Sequence, residues 1–149
     1  MCPNFIHVKL PELNIIGIRV RTLANYTNRK DQVLSVTNYI ESKKLKKVLF
    51  LGDFNNSAIK GDSTKCYEEV REKYHWTSKN EVSDLYDTYN YHILKDLLPK
   101  DFSIYTPEGY SWKKFKLDHL ITDLKIVDMK PYIWTDFSDH AMLVVEIDH

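Results

Sequence analysis

The run Lys47-Val48-Leu49-Phe50-Leu51 is apolar without alternation and stops abruptly at Gly52-Asp53-Phe54-Asn55-Asn56-Ser57. A strand this apolar wants cover on both faces, so it belongs inside a layered sheet rather than at a solvated edge. Its polar end puts Asp53 and Asn55 at the carboxyl end of a buried strand, where layered folds commonly pool their chemistry. Such a strand needs neighbours elsewhere in the chain.

Those neighbours can be read on both sides of it. Phe5 to Leu10 and Leu13 to Val20 are β-prone runs separated by Pro11-Glu12, which predicts a hairpin. From Asn28 to about Lys44, Val33, Val36 and Ile40 recur at helical spacing. Thr27 or Asn28 serves as N-cap, and lysines collect at the C-terminal end, where the helix dipole favours cations. Thr64 to Trp76 and Leu85 to Leu98 predict two more helices, the second closed by Pro99.

Phe102 to Tyr105, Tyr110 to Trp112, Leu117 to Thr122, Ile126 to Ile133 and Met142 to Ile147 then read as strands, with a turn at Pro107-Glu108-Gly109. The order β-β-α-β-α-α followed by strands predicts an α/β (α+β) fold, a layered β-sandwich flanked by helices, and not a regular βαβ repeat. A chain of 149 residues, 43% of them hydrophobic, suits a single domain over residues 1–149.

Lys plus Arg and Asp plus Glu number 21 each, so no global field draws the protein to polyanions, and any such affinity must be local. Cys2 and Cys66 lack partners at metal-binding spacing, which speaks against a zinc knuckle or a disulfide framework. No apolar run reaches membrane-spanning length, and Met1 to Phe5 lacks the pattern of a signal peptide. The expectation is a cytoplasmic protein with reduced thiols and no membrane association.

Three polar clusters interrupt or end the apolar strands: Asp53-Phe54-Asn55, Asp118-His119 and Ser138-Asp139-His140. Each alone is an ordinary turn or cap. Together they hold what phosphodiester hydrolysis requires, because a charged, poor electrophile needs its oxygens neutralised, a water activated and the leaving alkoxide assisted. An Asp accepts the proton of water or binds Mg²⁺, an Asn amide donates to a phosphate oxygen, and a His beside an Asp stays protonated. His119 has no such task and is expected to point the other way along its strand. His7, His75, His92 and His149 show no metal-ligand spacing.

Gly52-Asp53-Phe54-Asn55, Leu117-Asp118-His119-Leu120-Ile121 and Ser138-Asp139-His140, in that order, resemble the late motifs of the endonuclease/exonuclease/phosphatase superfamily, the deoxyribonuclease I-like group. The likeness runs from roughly the second strand to the last. Arg29-Lys30-Asp31-Gln32 opening the helix and Tyr110-Ser111-Trp112 ahead of Leu117-Asp118 add to it. The resemblance implies a metal-dependent phosphodiester hydrolase, nuclease-like in chemistry, acting on a phosphate-ester substrate that includes nucleic acid among its classes. Asp53 would orient or deprotonate the water, Asn55 would contact the phosphate, and Asp118 would pair with His140. Asp53 and Asp139 would lie on the metal side, with Mg²⁺ or Mn²⁺ as the ion.

Arg19 falls in the strand where many members place a further His or Tyr; an arginine can clamp a phosphate but is no general base at neutral pH. Trp112, at the head of Trp112-Lys113-Lys114-Phe115-Lys116, reads either as a stacking and phosphate-binding surface or as part of a solvated basic turn. Members also carry an Asn ending the first strand and a metal-binding Glu, both ahead of the motifs present here. The chain is therefore expected to correspond to the C-terminal portion of such a fold, without its N-terminal strands. Weak ion binding follows, as does an open apolar face near the Phe5 to Val20 hairpin or along Lys47 to Leu51, inviting self-association or a partner chain. The alternative is a non-catalytic binding or interaction module derived from the same fold.

Overall fold

The computed structural model describes residues 5–20, 26–55, 94, 96–112 and 116–148. Pro11-Glu12 turns the chain as expected: β1 (Phe5–Lys9) and β2 (Asn14–Arg19) form an antiparallel hairpin, closed by Leu10 N donating to Leu13 O at 2.8 Å. Helix α1 (Tyr26–Ser42) then leads to β3 (Val48–Asp53), which runs parallel to β2. Next come β4 (Ser103–Tyr105) and β5 (Asp118–Thr122), and the five strands make one sheet in the order β1-β2-β3-β5-β4. A separate pair, β6 (Ile126–Met129) and β7 (Val145–Ile147), is antiparallel, with an isolated bridge between Ile133 and Met142 beyond it. The fold is mixed α+β.

The apolar run that ends in Asp53 lies in the middle of the five-stranded sheet. Val48 and Phe50 are fully buried among Ile16, Ile18, Val20, Ile121 and the helical stripe of Val33, Val36 and Ile40, with Leu94 and Leu97 joining the cluster. Each such side chain contributes about 1.5–3 kcal/mol of burial, so the helix-covered face holds the strand ends in place. Leu49 and Leu51 point to the other face and are only half buried. On β1, the edge strand of the sheet among the described residues, Ile6 is 71% exposed and Val8 47%.

Several boundaries differ from the sequence reading. Thr27 and Asn28 lie inside the first turn of α1 instead of capping it. At the other end, Lys44 adopts φ 50°, its N–H donates to Glu41 O, and Leu45 N–H reaches back to Ile40 O, both at 3.0 Å. That paired left-handed closure ends the helix before the lysines, so the last turn carries no basic residue. Tyr110–Trp112 is not a strand; Ser111 is a fully buried bend. The strand expected from Ile126 to Ile133 stops at Met129, two residues before Pro131, which has no N–H to donate. The Met142 to Ile147 strand begins only at Val145. Of the two later helices, Thr64 to Trp76 lies outside the described residues, as does Leu85 to Leu98 except for its end, where Leu94 and Asp96 are helical.

Candidate active site

Strand register builds the site. Arg19 of β2 stands opposite Asp53 of β3, and Asp53 stands opposite Asp118 of β5, so three ionisable side chains line up across one end of the sheet. Directly opposed residues share a face, here the one away from α1. Gly52 precedes Asp53 with φ 140°, and a Cβ there would sit 2.0 Å from Ile18 O, so only glycine lets β3 approach β2 this closely. The chain after Asp53 is pinned from below by Phe54, fully buried against Phe50 and His119 at centroid distances of 5.1 and 5.8 Å.

Asn55 holds Asp53 in place. It is 4% exposed and left-handed at φ 48°, a conformation asparagine tolerates better than most residues. Its backbone N–H donates to Asp53 Oδ1 at 2.8 Å, and Nδ2 donates to Asp53 Oδ2 at 2.9 Å and to Val20 O at 2.6 Å. Those last two bonds use both amide hydrogens. In this arrangement Asn55 has no amide donor left for the phosphate contact that the resemblance implies; it orients a carboxylate instead.

His140 arrives from the loop ahead of β7. Its Nδ1 lies 2.8 Å from Asp118 Oδ2, the pairing expected of them, and its Nε2 lies 4.0 Å from Asp53 Oδ2. With the proton on Nδ1 donated to Asp118, Nε2 is the nitrogen left facing Asp53. Trp112 lies alongside, its ring centroid 6.3 Å from that of His140. Arg19 Nε is 3.9 Å from Asp53 Oδ2 on a side chain 81% exposed, which makes it a weak tether.

Burial, followed by the opposed Asp118 charge, pushes Asp53 up to about 6, against the Asn55 backbone N–H, His140 and Arg19, which all favour its anion. His140 is raised first by its hydrogen bond to Asp118; partial burial opposes this, and the charges of Asp118, Asp53 and Asp139 reinforce it. Ligand atoms of Asp53, Asp118 and His140 all lie within 4.8 Å of one another, the one such group among the described residues. Asp139, expected on the metal side with Asp53, is exposed and lies outside that group, whose other members are Asp118 and His140.

No family model matches this chain, and no curated protein matches it.

Three contributors went unread in the sequence. Ser111 Oγ accepts from the N–H groups of Leu117 and Asp118 at 2.8 and 3.2 Å. Tyr132 OH donates to Asp118 O. Thr106 Oγ1 meets His119 Nδ1 at 2.9 Å, holding that fully buried ring on the opposite face from Asp118. The signal for Ser111 was a single small hydroxyl between two aromatics, where a buried hydroxyl needs partners. His119 points away from the site, as its neighbour's role required.

Proposed function

We propose that the Asp53, Asp118 and His140 centre hydrolyses a phosphate ester with the help of a divalent cation, on a deoxyribonuclease I-like fold. The observation that carries this reading is the 2.8 Å bond between His140 Nδ1 and Asp118, which turns Nε2 towards Asp53. A carboxyl lifted to about 6 is still anionic at neutral pH yet more basic than an ordinary aspartate, which suits it to take a proton from an attacking water. His140, kept cationic by Asp118, presents Nε2–H to a phosphoryl oxygen and stabilises the charge that develops there. Trp112 offers a flat surface beside the reacting group, and the exposed Arg19 reaches a second oxygen from the rim.

The carboxylates of Asp53 and Asp118 would hold a divalent ion, while His140, with Nδ1–H given to Asp118 and Nε2–H to the phosphoryl oxygen, stays outside the ligand set. Mg²⁺ and Mn²⁺ both suit carboxylate oxygens, and few protein ligands mean weak retention. Such an ion would supply charge neutralisation at the phosphate oxygens.

The test is hydrolysis of plasmid DNA, RNA, a phosphoinositide and a chromogenic diester with Mg²⁺ or Mn²⁺. Cleavage of at least one is expected, falling about 10²–10⁴-fold in His140→Ala and Asp118→Asn. No cleavage of any member, or a rate indifferent to both substitutions, overturns the reading. A binding module on the same fold is the second reading, favoured by the exposed Ile6 and Val8 on an edge strand. Phosphate-ester binding without turnover would select it.

A further inference from the structure

We propose that Ser111 is the positioning residue of the Asp118–His140 pair, holding both partners from a single buried point. The inference rests on the same site but not on hydrolysis, so it stands or falls separately from the phosphoesterase reading.

Asp118 and His140 are 22 residues apart and belong to different segments, one the first residue of a strand and the other in a loop. A 2.8 Å hydrogen bond between them requires that both backbones be located to within a fraction of an ångström. On the β5 side, Ser111 Oγ accepts two N–H groups, those of Leu117 and Asp118, which together fix where the strand begins. A hydroxyl oxygen has two lone pairs, so one small side chain serves both donors. On the loop side, the carbonyl of the same residue accepts Ala141 N–H at 2.7 Å, one residue beyond His140.

Ser111 is fully buried, so water does not compete for these bonds. Its neighbour Trp112 lies against the His140 ring, and Tyr132 OH braces the Asp118 carbonyl from another direction. Among the described residues the loop from Trp134 to His140 pairs with no strand, and the Ile133–Met142 bridge and the Ser111–Ala141 bond flank its far end. Removing the Oγ leaves two N–H groups without their acceptor and frees the start of β5 to shift, which lengthens the bond to His140.

The experiment compares Ser111→Ala and Ser111→Thr with the unaltered protein by NMR, following exchange of the His140 Nδ1 proton, with His140→Gln to assign the signal. In Ser111→Ala that proton is expected to exchange faster with water. Ser111→Thr keeps the hydroxyl and restores its protection. An unchanged Nδ1 proton in Ser111→Ala overturns the proposal. If Ser111→Ala does not fold, hydrogen exchange in the unaltered protein decides. Joint protection of the Leu117, Asp118 and Ala141 amides is then expected, and rapid exchange of those three while β3 stays protected overturns it.

Discussion

Asp53 and Asp118 stand directly opposite each other on β3 and β5, two carboxylates in register across an antiparallel pair. Like charges so placed repel, and the sheet tolerates them because His140 bonds to one and faces the other. Two upward shifts result, of opposite meaning: Asp53 goes to about 6, mainly through burial and then the Asp118 charge, both of which disfavour its anion, while His140 rises above its ordinary value mainly because its bond to Asp118 favours the cation.

Stability should therefore fall as pH rises. Both groups hold protons more tightly folded than unfolded, so each contribution is complete below the unfolded pKa and disappears as pH passes the folded one. For Asp53 that window runs from 3.8 to about 6, and the shift is worth on the order of 3 kcal/mol. For His140 it opens near 6.5 and closes at the raised value. Thermal melts from pH 4 to pH 8 should decline, and Asp53→Asn should flatten the lower half of the curve. A constant difference between wild type and Asp53→Asn at every pH would refute this.

The rate of ester cleavage should be bell-shaped in pH. Ionisation of Asp53 sets the acid limb near 6, and loss of the His140 proton sets the alkaline limb above the ordinary imidazole value of about 6.5. Because the groups interact, the two limbs describe the pair as a whole. Asp118→Asn removes the negative charge and leaves at most a neutral acceptor for His140 Nδ1–H, so the alkaline limb should retreat. An alkaline limb that does not move would show that it belongs to another group.

Asn55→Ala separates orientation from phosphate contact. The substitution keeps the backbone N–H bond to Asp53 Oδ1 but loses the Nδ2 bond to Oδ2, which makes the anion less favourable, so the acid limb should move up. If Asn55 orients Asp53, kcat should fall about 10–100-fold with KM little changed. An equal effect carried by KM alone, with the acid limb unmoved, would return Asn55 to phosphate binding.

Gly52→Ala should unfold the site end of the sheet. The new methyl would meet the Ile18 carbonyl oxygen at 2.0 Å, and neither backbone can yield without parting β2 from β3. A loss of roughly 3 kcal/mol or more is expected in urea titration. Gly109→Ala is the control, because its left-handed φ of 88° is strained but nothing lies within 4 Å of the added methyl. Equal losses at the two positions would mean that backbone strain, and not the close approach, governs.

The exposed edge of β1 should make the protein associate with itself as concentration rises. Ile6 and Val8 present an apolar row on a strand that pairs with β2 on one side and, among the described residues, has no partner on the other, and a lysine in such a row is a known deterrent to edge pairing. Sedimentation velocity should show a concentration-dependent shift that Val8→Lys abolishes. A species of constant mass across the range would rule it out.

What could be read from the sequence was what is written locally. The hairpin, α1 and β3 carry their own periodicity or apolar continuity, so their existence and type were plain. The terminal lysines misled because the helix ends through backbone geometry at Lys44 and Leu45, which composition does not encode. Tyr110-Ser111-Trp112 imitates strand alternation, but Ser111 is buried to receive hydrogen bonds and not to face a core. The Asp118–His140 pairing was suggested by the order of motifs. The spent donors of Asn55 could not be foreseen, since one of them goes to a carbonyl 35 residues away.

Along β5 an acid and an imidazole alternate, Asp118 on the face away from α1 and His119 fully buried on the other. The site is thus defined by parity as well as by residue type. A slip of β5 by one residue would put His119 beside Asp53 and carry the Asp118 carboxylate into the apolar interior next to Phe54. A slip by two would restore the face but carry Asp118 about 7 Å along the strand, out of reach of His140. The hydrogen-bond ladder between β3 and β5 is in this sense a ruler, and mutations that loosen it should scramble the chemistry before they unfold the protein.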